Sequence, residues 1–110
     1  MLSSQCSDAV FAVVQRSRLH EDLDTQRQLN KGSRRIPSDI AEGFEQSTNK
    51  HFAHYLYIAR GAARELCTQV NLAARRRHIT EKDRNDLWTR YDEIARMLSG
   101  LIRYLENSGD

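Results

Sequence analysis

Two hydrophobic seams constrain this chain more than anything else in it. Phe52, Leu56, Ala59, Ala63, Leu66, Val70 and Ala73 follow one another at alternating spacings of four and three, and Leu87, Tyr91, Ile94, Leu98, Leu101 and Leu105 repeat the pattern. That alternation keeps each set on a single stripe of an α-helix. No period-two pattern competes with it, so a sheet is excluded over this half of the chain. Both seams carry boundary signals. Ser47, Thr48 and Asn49 precede the first and supply side-chain oxygens for its opening N–H groups. Arg75, Arg76 and Arg77 close it, where cations meet the negative end of the helix dipole. Thr80 precedes the second, with Glu81 and Asp83 in its first turn, and Asn107-Ser108-Gly109 ends it. Only a few residues separate the two helices, which predicts antiparallel neighbours.

The first half reads as helix less cleanly. A short helix is predicted over about residues 4–18, with Val10, Phe11, Val13 and Val14 as its apolar set and Ser7-Asp8 as an alternative cap. A longer one is predicted over about 21–45, with Leu23, Leu29, Ile36, Ile40 and Phe44 near one face. Pro37, the only proline, removes a helical donor and predicts a kink or a restart. On that reading Ser38 and Asp39 are first-turn residues. Gly32-Ser33 is a second weak point. Gly43, inside an apolar pattern, marks either close packing or a stop. The fold class is all-α: an antiparallel up-down four-helix bundle in one domain over residues 1–110.

Composition narrows the function classes. Seventeen Lys and Arg stand against fifteen Asp and Glu, a net charge of +2. Bulk charge therefore does not demand a nucleic-acid partner, and any such role rests on local patches. The hydrophobic share is 39% and the mean hydropathy −0.71. A chain this polar can leave one face to be completed in an oligomer. Cys6 and Cys67 form neither a CxxC nor a metal-ligand spacing, which suits a reducing compartment. No leader-like opening and no apolar run of about 20 residues is visible. A soluble cytoplasmic protein without a membrane partner is the expectation.

Several constellations invite a chemical reading. Lys31, Arg34 and Arg35 precede the proline, and Arg75, Arg76, Arg77 and His78 end the third helix. Both basic clusters can contact phosphates, and both can equally be solvated helix surface. His51 and His54 lie three apart with Glu42 and Glu45 shortly before them, but the paired Glu-x-x-His pattern of bundle metal sites is missing. Asp39 and Glu42 have no nucleophile or histidine at useful spacing for acid–base work. Arg60 and Arg64 flank Gly61-Ala62-Ala63, where a helix can approach closely, and are expected to pair with Glu42 or Glu65. Tyr55, Tyr57, Trp88 and Tyr104 exceed what the seams need, and either widen the core or sit at a subunit interface. No catalytic residue, cofactor or metal is assigned.

Taken together, the segment Ile36-Pro-Ser-Asp-Ile-Ala-Glu-Gly-Phe44, then Phe52, then Leu56-Tyr-Ile-Ala-Arg-Gly61, then Glu65-Leu-Cys-Thr-Gln-Val70 resembles the four-helix bundle proteins encoded in 23S rRNA intervening sequences. The likeness spans about residues 26–105. Departures fall at Arg34-Arg35, where small or apolar residues and a serine are usual, at Asp39 for asparagine, at Ala62 for serine and at His51 for glutamate. The resemblance implies a four-helix bundle assembled as a homopentameric ring or barrel. It also implies kinship with the accessory variability determinant proteins of diversity-generating retroelements, basic pentamers that bind nucleic acid and a reverse transcriptase.

The functional expectation is therefore a non-enzymatic oligomeric adaptor that binds RNA or DNA, or a reverse transcriptase, through Lys31, Arg34, Arg35, Arg75, Arg76 and Arg77. A ring would repeat each patch and raise its avidity. The alternative is a structural or protein-interaction bundle with no nucleic-acid role, for which the balanced charge is the motive. A metal-dependent or hydrolytic enzyme has only the histidines and nearby carboxylates behind it.

Overall fold

The computed structural model describes residues 8–14 and 22–108. Residues 8–14 are helical and form α1. The long helices are α2 (Leu23–Phe44), α3 (Asn49–Arg75) and α4 (Glu81–Asn107). All regular structure among the described residues is α-helical. Cys6, His20, Ser7 and Gly109, and the outer parts of the predicted first helix, lie outside the described residues.

The starts of α3 and α4 follow the predicted chemistry. Thr48 accepts from the His51 N–H at 3.2 Å and caps α3. Thr80 accepts from the Asp83 N–H at 3.1 Å and caps α4. Asp22 caps α2, accepting from the Thr25 N–H at 3.1 Å. The third helix ends in a Schellman turn. The His78 N–H reaches the Ala73 carbonyl, and the Arg77 N–H the Ala74 carbonyl, each at 2.9 Å. Arg77 takes the left-handed residue of that motif, with φ 61°.

α3 is the central element, packed on α2 along one side and on α4 along the other. Both pairs run antiparallel. Tyr57, near the start of α3, bonds Glu106 at the end of α4. Arg64 meets Asp92, and further along Asn71 meets Arg84 near the start of α4. On the other side Phe52 lies against Gly43 and Leu66 against Gly32, while Arg76 reaches Thr25. The two seams are the core. Leu56, Ala59, Ala63, Leu66, Val70 and Ala73 are buried on α3, and Leu87, Tyr91, Ile94, Leu98 and Leu105 on α4. Ile102 takes the buried place expected of Leu101, which is half-buried. At 3.6 residues per turn the inner face drifts from a strict heptad by that one position. Val10, Val13 and Val14 bring α1 into the same core.

The structure corrects the sequence reading of α2. The helix passes through Pro37 without a restart, so Ser38 and Asp39 are mid-helix residues and not a first turn. A proline there costs about 3 kcal/mol. Leu29, Ser33 and Ile36 before the break and Gly43 after it are all buried on the inner side of the helix, and their packing outweighs it. Leu23 and Phe44, placed on the inner face from sequence, are 58% and 64% exposed. They sit at the helix termini, and Phe44 packs against the Phe52 ring, 4.9 Å between centroids.

Candidate nucleic-acid interface

The outer face of α2 carries the first basic cluster. Arg27, Lys31 and Arg34 recur at spacings of four and three, on the side opposite buried Leu29, Ile36 and Gly43. All three are exposed. None makes an ion pair or side-chain hydrogen bond among the described residues. With Asn30, Arg35 and Ser38 they line a shallow depression along the helix. Arg27 to Arg34 spans roughly 10 Å of axis. Arg27 extends the cluster read from sequence. Its signal was the same helical spacing that identified the seams, applied to charge instead of hydrophobicity.

Arg35 stands slightly apart, with Nε 3.5 Å from the Asp39 carboxylate one turn on. It also borders a groove of about 240 Å³ between α2 and α3, with Gln28 and Lys31 on one wall, Glu65 and Gln69 on the other, and Gly32 and Leu66 at its floor. Glu65 and Gln69 belong to the α3 segment that carries the family resemblance, and here they line the joint between two helices.

The second cluster sits at the C-terminal end of α3 and is not uniform. Arg76 is engaged: its Nη1 lies 3.1 Å from Asp22 Oδ2 and 3.4 Å from Thr25 Oγ1. His78 Nδ1 lies 3.6 Å from the same carboxylate. Hydrogen bonds from the Thr25 N–H and hydroxyl hold the Asp22 carboxyl below the usual aspartate range; burial pushes it up by less than these, and Arg76 adds a smaller lowering. Arg76 is therefore a clamp between the start of α2 and the end of α3. Arg75 and Arg77, on either side of it, are exposed and pair with nothing among the described residues. Because Arg76 reaches the start of α2, both clusters belong to the α2–α3 half of the molecule, with the Arg75–Arg77 corner just beyond the N-terminal end of the α2 stripe.

The other arginines of α3 are occupied with structure, though not as expected. Arg64 pairs with Asp92 of α4 at 2.7 Å and not with Glu42 or Glu65. Asp92 also receives Arg96 at 3.0 Å. The Arg64 hydrogen bond, and then the charges of Arg96 and Arg64, lower the Asp92 carboxyl despite partial burial. The expectation failed because Arg64 faces α4, whereas Glu42 lies at the far end of α2. Arg60 donates to Ser99 at 3.2 Å and lies 4.8 Å over the Tyr57 ring. On α4, Arg84 bonds Asn71 and Asn85, while Arg90 and Arg103 are exposed without a pair among the described residues.

The remaining sequence candidates disperse. His51 and His54 are both exposed, and His54 stands edge-on to Tyr55 at 5.6 Å. No group of three His, Cys, Asp or Glu converges among the described residues. Cys67 is buried, its Sγ 3.7 Å from the Trp88 carbonyl, and burial pushes its thiol up, leaving an inert side chain. The surplus aromatics divide. Trp88 packs against the core. Tyr57 donates to Glu106 at 2.9 Å. Tyr104 is 68% exposed and, with Met97 at 60%, leaves apolar surface on α4. No helix among the described residues is long and apolar enough to cross a membrane.

An all-α bundle of long antiparallel neighbours with unpaired arginines on its outer surface is the class of protein these features define. The profile of the 23S rRNA-intervening sequence protein family matches residues 1–100, and the chain belongs to that family. Among solved structures it is similar to a crystallised protein with unknown function from the S23 ribosomal protein family of Bacteroides thetaiotaomicron. The identity is 19% and the TM-score 0.82, over 92% of this chain and 94% of that one. At that identity the likeness speaks to the fold alone. No curated protein matches the chain.

Proposed function

We propose that the protein is a non-enzymatic adaptor that binds RNA through the outer face of α2. It folds as an up-down four-helix bundle and assembles as a homopentamer. The observation that carries this reading is the stripe of Arg27, Lys31 and Arg34, three exposed cations on one helical face with no carboxylate partner among the described residues. Surface arginines near acidic groups pair with them here, as Arg35, Arg64, Arg76 and Arg96 do. A stripe left unpaired is free to neutralise phosphates and release their counterions. A pentamer presents five such stripes, so a weak single contact becomes a firm one. Family membership supports an association with ribosomal RNA genes. The likeness to retroelement accessory proteins extends the partner class to DNA and to a reverse transcriptase, and the cytoplasm is where such partners meet.

A second reading, a bundle that contacts only protein, draws on exposed Met97 and Tyr104, seven residues apart on α4. Charge reversal separates the two. Arg27→Glu with Lys31→Glu and Arg34→Glu abolishes RNA retention in an electrophoretic shift while the solution mass by light scattering stays that of the wild type. Undiminished RNA binding by this variant, or none by the wild type at low salt, removes the first reading. A monomeric mass removes the pentamer.

A further inference from the structure

The turn after α3 holds an exposed arginine where the backbone favours glycine. Arg77 has φ 61° and is the one non-glycine residue with positive φ among those described. It occupies the left-handed position of the Schellman turn that ends α3, set by the bonds from its own N–H to Ala74 and from His78 to Ala73. Glycine is common there because an L side chain crowds the neighbouring carbonyl. An arginine brings a long side chain into that strain, and here the strain is not repaid by a contact. Arg77 forms no ion pair or side-chain hydrogen bond among the described residues and is exposed. Strain held at a surface residue without a local partner points to a role outside the chain.

The residues around it support that role. Arg76, immediately before, is tied to Asp22 and Thr25 at the start of α2. Ile79, two residues after, is buried. The corner is thus anchored on both sides while Arg75 and Arg77 project free. The Asp22 carboxylate beside the corner is occupied by Arg76. Two guanidinium groups on a fixed turn suit a ligand with repeated negative oxygens and match the geometry by which Arg grips phosphate.

We infer that Arg77, with Arg75 beside it, is a second phosphate contact for RNA, held in a strained turn at a cost to the stability of the fold. This rests on the nucleic-acid reading above and adds to it a contact away from the α2 stripe. The competing role is purely local: a cation at a helix C-terminus, favoured by the helix dipole.

Three variants of the full chain separate the roles, each measured for melting temperature and for affinity toward a single-stranded RNA across a salt series. Arg77→Gly relieves the strain, so its melting temperature rises by ~4 °C. Its affinity falls roughly fivefold near 0.1 M salt, and the slope of log K against log salt drops by about 0.7, the share of one phosphate contact. Arg77→Asn, which tolerates the left-handed region without the charge, shows the same loss of affinity. Arg77→Lys keeps most of the binding. Unchanged affinity in Arg77→Gly and Arg77→Asn, with wild-type RNA binding intact, overturns the inference and leaves the α2 stripe standing. A lower melting temperature for Arg77→Gly overturns it as well, by showing that the charge serves the helix end. Absence of wild-type RNA binding instead removes the parent reading.

Discussion

Gly43 shows how much a single side-chain hydrogen can matter in this bundle. A Cβ built there would sit 2.8 Å from Phe52 Cδ1 and 3.3 Å from Tyr55 Cβ. The Phe52 ring cannot retreat freely, because the Phe44 ring lies against it, tilted by 47°. Gly43→Ala gains about 1 kcal/mol of helix propensity but forces an overpacked joint costing about 1–3 kcal/mol. The expected result is a lower melting temperature in a thermal melt, and a rise would show that Phe52 moves aside at no cost. Charge makes a second test at this scale. Asp22 and Asp92 both have carboxyls lowered by their hydrogen bonds and cations. A folded value below the unfolded one gives stability that is fully present above the ordinary aspartate range and lost as pH falls through and below about 4. The wild type therefore holds a plateau near neutrality and weakens in acid. Asp22→Asn with Asp92→Asn flattens that acid limb in pH-dependent urea melts, and an unchanged limb would place the acid sensitivity elsewhere.

Among the elements, α2 separates what the sequence made legible from what it hid. The α3 and α4 seams were readable because hydrophobic spacing is itself the physical cause of the burial. One position slipped, Leu101 to Ile102, because the helical period is not a strict heptad. The caps Thr48 and Thr80 were readable for the same reason: a side-chain oxygen next to unbonded N–H groups has one obvious use. Pro37 wrongly suggested a restart because its local cost is real and the packing that outweighs it is not local. Gly32 meets Leu66 of α3, far along the chain, and Leu29 and Ile36 join the same buried cluster. The same limit hid the ion pairs, since Arg64 with Asp92 and Arg76 with Asp22 depend on which helix lies next to which. At the candidate interface both clusters were visible as charge runs. Missing was the division between clamped Arg76 and free Arg75 and Arg77, which only folded geometry supplies. Continuity through Pro37 carries its own prediction. Pro37→Ala restores a donor facing the Ser33 carbonyl and raises stability by about 1–3 kcal/mol. Chemical denaturation measures it, and a loss of stability would mean the ring itself is needed for packing.

The whole molecule is a rod of 48 × 20 × 19 Å in which a near-balanced charge is unevenly spread. Carboxylates such as Asp22 and Asp92 are spent holding helices together, and they neutralise the arginines they touch. The cations left over lie outside those clamps: on the outer face of α2, at the corner after α3, and on α4 at Arg90 and Arg103. A net charge of +2 thus coexists with local stretches of unpaired positive charge. The family signature tells a complementary story. Its Gly43, Phe52 and Leu66 build the α2–α3 joint, so the residues that identify the fold are largely distinct from those that would meet a partner. The most direct test of the central claim is the salt dependence of equilibrium RNA binding by the wild-type protein. Engagement of Arg27, Lys31 and Arg34 predicts that log K falls with log salt at a slope of about −2 or steeper per chain. A flat response, or no binding at low salt, would contradict it.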